Sequence, residues 1–128
     1  MSTITIEGNL SEDLRLNFTK SGKAVANLVV LENRRVKDAQ GQWSDATPTR
    51  YDVVVWGPMA ENAAESLTRG ARVVVTGSLF TEHWATEAGE SRYSTKMHAD
   101  AIGASLRYAV AQLHKPEQRQ SSEGSEGE

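Results

Sequence analysis

The chain is predicted to fold as one small all-β domain with a single helix. Turn residues divide its first 108 positions into short segments rich in Val, Ile and Thr, which is typical of strands. One segment only, after Gly57-Pro58, has the spacing of a helix. A length of 128 residues, with 38% hydrophobic and 24% charged side chains, fits one globular domain built on one core.

Alternation of apolar and polar residues places five strands in this domain. They are expected at residues 3–18, 24–35, 49–56, 71–85 and 92–102. The first is expected to be one long strand bent near Gly8, because residues 3–7 and 14–18 both alternate with period two. The second and fourth change from apolar to polar along their length. Their far ends are therefore expected to project from the core as hairpins, with turns near residues 37–42 and 87–90.

The helix is expected between the third and fourth strands. Pro58 suits its first turn, where the missing N–H would lack an intrahelical partner anyway. An apolar stripe at i, i+3, i+4 and i+7 consists of Ala60, Ala63, Ala64 and Leu67. Gly70 is expected to end the helix as its C-cap glycine. Three strands, one helix and two strands is the order of a five-stranded OB-fold barrel, and this is the predicted fold.

The charge distribution separates this domain, expected at residues 1–110, from a polar tail at 111–128. Four Glu and one Arg between Pro116 and Glu128 account for the whole net charge of −3, which leaves 13 basic and 13 acidic side chains in residues 1–115. The tail is predicted to be disordered. Just before it, Leu106 and Tyr108 are expected to pack back on the core. The neutral domain can carry a basic groove if its charges are segregated.

Composition excludes several classes of function. With no Cys, thiolate metal sites, disulfides and cysteine nucleophiles are absent. His83, His98 and His114 lie 15 and 16 residues apart, which is not a metal-ligand spacing, and no phosphate-binding loop or nucleophile elbow is present. No enzyme activity, metal or cofactor is therefore expected. No apolar run approaches the ~20 residues that span a bilayer, so a cytoplasmic protein without a membrane partner is expected.

Strand parity places aromatic rings on the outside of the predicted barrel. In residues 49–56, Val53 and Val55 should line the core, which leaves Trp56 outside together with Arg50. In residues 71–85, the members that share the outward parity include Arg72, Phe80 and Trp84. A flat ring can stack on any nucleobase, and nearby cations follow the phosphates. This pattern predicts binding of single-stranded nucleic acid without sequence specificity.

Alternative roles remain for three of the rings. Trp56 could be an edge-of-core residue beside the helix start, and Trp43 could cap its own hairpin. For Phe80, too, a packing role and a binding role both remain as alternatives. Trp84 lies in the polar stretch 82–86, where packing gives little reason for a Trp.

Several short segments, in order and over about residues 3–108, resemble the bacterial single-stranded DNA-binding protein (SSB) family. They are Ile6-Glu7-Gly8-Asn9-Leu10, Gly22-Lys23-Ala24-Val25-Ala26-Asn27, Trp56-Gly57 with Ala60-Glu61, Leu67 with Arg69-Gly70, residues 73–79, and Gly89 with Arg92-Tyr93. The resemblance implies a homotetramer of OB domains that wraps single-stranded DNA in replication, recombination or repair. It also implies no cofactor, a first strand that pairs between subunits, and a nucleoid-associated location.

The resemblance also implies site residues. Trp56 and Trp84 match the family's stacking positions, and the hairpin from Arg34 to Trp43 matches a DNA-embracing loop. The complete predicted contact set is Trp43, Trp56, Phe80, Trp84, Arg34, Arg35, Arg50 and Arg72. Arg35 and Arg50 stand near positions where the family often has aromatic residues, and Asp52 stands where a basic residue is frequent. Weaker DNA affinity is therefore expected.

The tail departs from the family pattern as well. Family members usually end in an acidic tip closed by apolar residues, which docks partner proteins, whereas this sequence ends Ser125-Glu126-Gly127-Glu128. A specialised member that recruits those partners poorly is expected. Two other functions stay open: an OB module for protein scaffolding, supported by the neutral domain, and an oligosaccharide-binding module, since sugars also stack on Trp.

Overall fold

The computed structural model describes residues 2–116. Its elements in chain order are β1 (Thr3–Leu10), β2 (Arg15–Phe18), β3 (Ala24–Glu32), β4 (Arg35–Lys37), β5 (Trp43–Asp45), β6 (Thr49–Trp56), α1 (Pro58–Ser66), β7 (Arg72–Ala85) and β8 (Ser91–Ala104). Residues 111–116 form neither helix nor strand. The rest of the predicted tail, 117–128, lies outside the described residues, so the disorder, the domain boundary and the partner docking predicted there stay predictions.

The main strands close into a ring. β1 pairs antiparallel with β7 along residues 3–9 and then with β3 through Asn9 and Leu10. β3 continues to β6, β6 pairs parallel with β8, and β8 returns to β7. β2 extends the β3 edge, and β4 with β5 forms a separate hairpin. This circuit, with α1 between β6 and β7, confirms the predicted OB fold.

The predicted single first strand is wrong, because the chain leaves the sheet between β1 and β2. The N–H of Leu10 donates to the Ala71 carbonyl at 2.8 Å, and the N–H of Gly70 donates to the Leu10 carbonyl at 2.9 Å. The carboxylate of Asp13 accepts a 2.7 Å hydrogen bond from the backbone of Arg69. The end of β1 therefore binds the connection after α1. One further hydrogen bond to β3, from the N–H of Ser11 to the Val29 carbonyl at 3.1 Å, follows before strand pairing resumes in β2.

Gly8, where the sequence predicted a bend, lies at a close approach of two strands. A Cβ atom at this position would overlap the carbonyl oxygen of Leu31 on β3. Glycine is therefore required where β1 passes from its pairing with β7 to its pairing with β3.

Inward-facing residues of every ring strand form one core. The largest fully buried side chains are Leu10, Leu28, Val30, Val53, Val55, Val73, Val75 and Met97. Along each strand they alternate with residues that face outward, as the period-two pattern predicted. From α1 and its C-terminus, Ala60, Ala63 and Leu67 are buried in the same cluster, while Ala64 is half-buried.

Two predictions about the ends of elements are wrong. α1 ends at Ser66, and its C-cap is Leu67 in an extended conformation, because burying the Leu67 side chain turns the chain toward the core. Gly70, with φ of 90°, instead lies in the following turn. Leu106 and Tyr108 do not pack on the core. Both are exposed, and the ring of Tyr108 lies against the guanidinium of Arg72 at 5.4 Å. Within residues 2–116, no helix is long and apolar enough to cross a bilayer.

A carboxylate on β1 holds the end of the domain together. Oε2 of Glu7 accepts hydrogen bonds from Oγ of Ser105 at 2.7 Å, Nε of Arg72 at 2.8 Å and Nε of Arg107 at 3.4 Å. These donors, with Ser105 first, stabilise the ionised form and hold the pKa of Glu7 at about 2, below its ordinary 4.5. The segment after β8 is thereby fixed across β1 and β7.

Gly77→Ala is expected to lower the free energy of unfolding by about 1–3 kcal/mol, because the new methyl group would overlap the His98 carbonyl oxygen where β8 bulges opposite Thr76 and Gly77. Urea denaturation measures this change. Gly103→Ala is the matched control, because that glycine is in the facing strand with no atom near the position of a Cβ. Its effect should stay within about 0.5 kcal/mol. Equal losses in the two variants would contradict the packing argument.

Glu7→Gln is expected to lower the melting temperature at pH 7, because it removes the charge that pairs with Arg72 and Arg107. A depressed carboxyl pKa stabilises the fold above the unfolded-state value, and this stabilisation is lost as the pH falls through the folded-state value. The difference in melting temperature between wild type and variant should therefore decrease as the pH is lowered from about 4.5 to about 2. Glu87→Gln, outside the network, should show no such narrowing, and a constant gap for Glu7→Gln would refute this account.

Candidate nucleic-acid interface

One outward face of the sheet runs without interruption from β6 across β8 to β7. Val54 and Ser78 are both register partners of His98, so these three side chains form one row on the same face. Every second residue from that row belongs to the same face. We define the outer strip as twelve residues of this face, namely Arg50, Asp52, Val54, Trp56, Ser78, Phe80, Glu82, Trp84, Arg92, Ser94, Lys96 and His98.

Two indole rings mark the ends of the outer strip. Trp56 lies two residues beyond the row of His98, and Trp84 pairs with Arg92, six residues in the other direction. At about 3.3 Å per residue, the two positions are roughly 26 Å apart along the strands. Trp56 is 39% exposed and Trp84 47% exposed. The geometric prediction that two strands present rings on one surface is therefore confirmed, and Trp56 is not sealed in the core.

The middle of the strip contains a small open cleft, and a pair of stacked rings belongs to the same face. Its floor is apolar, because Val29 and Val54 are buried although they face outward. Arg15, Asn27, Asp52 and Lys96 also line the cleft. Phe80 stacks on His98 with 3.9 Å between ring centroids, so one face of the Phe80 ring is already covered. A ligand can therefore reach this half-buried ring only from its other side or its edge.

Ion pairs neutralise the cations along the strip. Arg50 contacts Asp52 at 3.0 Å, and Lys96 contacts Glu82 at 3.1 Å. All four groups are partly exposed, and such pairs contribute only about 0–1 kcal/mol each. Acids and cations therefore alternate on this face, so it is not a segregated basic groove. Each cation is held where an incoming phosphate can replace its carboxylate partner.

A cation that sequence reasoning missed lies beside Trp56. Nζ of Lys23 is 5.3 Å from the indole centroid, within the range of a cation–π contact. Lys23 comes from the turn before β3, and the pairing of Val25 with Trp56 brings it there. Lys96 and His98 were missed as well. Counting alternate residues from the turn near 87–90 along both arms of the hairpin would have placed them opposite Phe80 and Ser78.

The β4–β5 hairpin presents a second cluster of predicted residues. Lys37 pairs with Trp43 and Arg35 with Asp45, so these four side chains share one face. Nζ of Lys37 is 5.8 Å from the Trp43 ring, and Arg35 contacts Asp45 at 3.7 Å. Trp43 therefore contacts its own hairpin through Lys37. It is also 59% exposed, so part of its ring remains accessible to solvent.

The β4–β5 hairpin emerges at the same end of the barrel as the Trp84 end of the outer strip. β3 ends and β6 begins at the pair Glu32 and Thr49, so the hairpin between them emerges at that end. The tip of the β7–β8 hairpin projects from the same end, because β8 begins before the level of Thr49. Among residues 2–116, the side chain of Arg34 has no hydrogen-bond or ion-pair partner, and it lies at the base of this hairpin.

Arg72 does not join the other predicted residues. It lies at the start of β7, twelve residues from Trp84, and its guanidinium binds Glu7 and Asn9. Parity placed Arg72 on the correct face but could not show its distance from the rings or its partners. We therefore leave Arg72 out of the candidate interface. In the part of the chain described, no three His, Asp or Glu side chains are placed to hold a metal ion.

Comparisons with known proteins agree with this geometry. Residues 1–105 match the model of the single-strand binding protein family. The chain is 48% identical over 115 residues to a single-stranded DNA-binding protein of Mycobacterium leprae, covering 89% of this chain and 68% of that protein. A protein of the same description from Paenarthrobacter aurescens is 43% identical over 124 residues, covering 96% of this chain and 72% of that one.

A solved structure is also similar. It is the crystal structure of a small single-stranded DNA-binding protein from Streptomyces coelicolor, with a TM-score of 0.68 and 28% identity. The match covers 82% of this chain and 94% of the other. The likeness therefore extends over nearly the whole of that chain.

Proposed function

Because the chain belongs to the single-strand binding protein family, we propose that it covers single-stranded DNA without sequence specificity and catalyses no reaction. The observation that carries this proposal is the pair of exposed indoles at the two ends of one continuous face. Every base has a π-face, so stacking on such rings is indifferent to sequence. Roles in replication, recombination and repair fit membership of this family.

Stacking is proposed to hold the bases while exchangeable cations follow the backbone. Trp56 and Trp84 are the two platforms, and Phe80 offers its open side between them. Arg50 and Lys96 leave Asp52 and Glu82 to meet phosphates, an exchange that costs little because both ion pairs are exposed. In this binding mode the protein contacts no base edges, and stacking on the aromatic rings supplies most of the binding free energy.

The β4–β5 hairpin is proposed to extend the contact at the Trp84 end. Trp43 offers a third ring, and Arg35 can exchange Asp45 for phosphate as in the outer strip. Arg34, whose side chain is unpaired within residues 2–116, adds a cation at the base of the hairpin.

We also propose a homotetramer, with a cytoplasmic and nucleoid-associated location. Residues 3–8 of β1 pair with β7 on one side, while pairing with β3 is confined to Asn9 and Leu10. Most of β1 therefore has an open edge in this part of the chain, which a second copy can pair with. Light scattering should give a four-chain mass, and a one-chain mass would exclude the assembly.

Titration of intrinsic Trp fluorescence tests the proposed function against its alternatives. Oligo-dT should quench the signal, whereas duplex DNA and a neutral glycan should not. Affinity should fall with salt at a log–log slope of about −0.7 per phosphate neutralised. Binding of the glycan with no response to salt would favour a sugar module, and no ligand response at all would favour a protein scaffold.

Trp84→Ala is expected to weaken oligo-dT binding by about 1–3 kcal/mol, because it removes one stacking platform. The fold should persist, since the ring is exposed and supports little of the core. Anisotropy titration measures the affinity, and thermal denaturation checks the fold. Tyr108→Ala is the control, because that exposed ring lies at the opposite end of β7. Equal affinities for Trp84→Ala and wild type would remove Trp84 from the site.

Asp52→Asn is expected to tighten oligo-dT binding by up to about fivefold, because it removes the acid that engages Arg50 and repels phosphate. The log–log salt slope should stay close to that of the wild type, because Arg50 meets a phosphate in both chains. Asp100→Asn makes the same change in net charge without releasing Arg50, and its affinity should stay closer to that of the wild type. Equal affinities for Asp52→Asn and Asp100→Asn would show that Arg50 does not contact the backbone of the DNA.

A further inference from the structure

The β7–β8 hairpin carries aromatic rings on both of its faces. The face opposite Trp84 consists of Thr81, His83 and Ala85 on β7 and Ser91, Tyr93 and Thr95 on β8. We call it the reverse face. We propose that the reverse face is a second stacking site for the same single-stranded DNA, with Tyr93 as its platform. This inference rests on the proposed function and adds a contact that the outer strip does not contain.

The reverse face is open because the hairpin leaves the barrel. Residues of this parity point into the core along the ring, as Val75 and Met97 do. β8, however, pairs with β6 only at Val53 and Val54. Beyond Met97 the inward side of the hairpin loses its cover, and Tyr93 is 69% exposed. A ring that would be core in the body of the sheet is therefore a surface ring here.

The Tyr93 ring is held in place by its cross-strand neighbour. His83 pairs with Tyr93, and their ring centroids are 4.6 Å apart at an interplanar angle of 31°. A partner ring on one side restricts rotation of the tyrosine and leaves its other side free. A ring restrained in this way loses less conformational entropy when a base stacks on it than a freely rotating ring would.

The chemistry of the reverse face suits a polyanion. Its six residues include two rings and four hydroxyl groups but no carboxylate, whereas Glu82 lies on the opposite face. The hydroxyl groups of Thr81, Ser91 and Thr95 can donate to phosphate or base oxygens. The reverse face combines aromatic rings with neutral hydrogen-bond donors. This combination suits single-stranded DNA as a ligand better than it suits an acidic or apolar surface of another protein.

Continuity with the outer strip identifies the occupant. His83 precedes Trp84 in the chain, and Tyr93 follows Arg92, so the two platforms lie back to back on neighbouring residues of a two-stranded hairpin. Such a hairpin is only about 5 Å wide between strand axes. A single strand that reaches Trp84 can therefore pass around the edge of the hairpin and stack on Tyr93. A short oligonucleotide on the outer strip alone cannot do so.

Photo-crosslinking of the full chain tests this directly. Oligo-dT carrying 5-iodouracil should crosslink to both platforms, and trypsin separates them, because cleavage after Arg92 leaves Trp84 in peptide 73–92 and Tyr93 in peptide 93–96. With an oligonucleotide of about 30 nucleotides, roughly twice the upper footprint of one OB fold, both peptides should carry adducts. With about 8 nucleotides, only the Trp84 peptide should.

Tyr93→Ala supplies the matching affinity measurement. It should weaken binding of the long oligonucleotide about tenfold and leave the short one within about twofold, since a tenfold loss equals about 1.4 kcal/mol, which is within the range for stacking of one base. Tyr108→Ala is the control for loss of an exposed tyrosine and should change neither. Light scattering without DNA should give the same mass for Tyr93→Ala as for wild type.

The outcomes separate this inference from the proposed function. Adducts on peptide 73–92 alone, with equal affinities for Tyr93→Ala and wild type, would overturn the second site and leave the DNA-binding function standing. A change of mass in Tyr93→Ala would show that the reverse face binds a second copy, which also overturns it. Failure of both oligonucleotides to bind the wild-type chain would refute the proposed function itself.

Discussion

The parallel pairing of β6 with β8 is the interaction on which the candidate site depends. It joins two parts of the chain that each carry an indole, and it does so through only two register pairs, at Val53 and Val54. Those pairs place Trp56 and Trp84 on one face and set the spacing between them. The same short ladder releases the β7–β8 hairpin from the barrel. Closure of the ring and exposure of the hairpin therefore have a common origin.

Stability and binding are assigned to opposite faces of the same strands. The largest fully buried side chains all lie on the inward face of the strands, whereas the aromatic rings and ion pairs of the outer strip lie on the outward face. Substitution on the outer strip removes little core packing. The hydrogen bonds of Glu7 stabilise the fold away from both faces, because they hold the segment after β8 against β1 and β7. Side chains on the outer strip can therefore differ between family members without loss of the barrel.

The interleaved acids give this surface a distinct balance of forces. A strongly basic groove attracts any nucleic acid, duplex included, through its phosphates. Here Asp52 and Glu82 pair with the cations. In the proposed binding mode a single strand displaces these acids, and rings that need unpaired bases supply most of the discrimination. Single strands would then be favoured because their bases can reach the indoles, while a duplex offers mainly charge.

The sequence by itself determined the local features of this protein. Period-two alternation showed which residues of each strand face outward, Trp56 and Trp84 among them, and the turn at Gly57-Pro58 showed where the helix starts. Tertiary structure alone decided the break between β1 and β2, the capture of Arg72 by Glu7, the approach of Lys23 to Trp56 and the exposure of Tyr93. The reason is physical. The alternation of apolar and polar residues is a property of neighbouring residues, whereas ion pairs and burial depend on the register between strands that are distant in the chain.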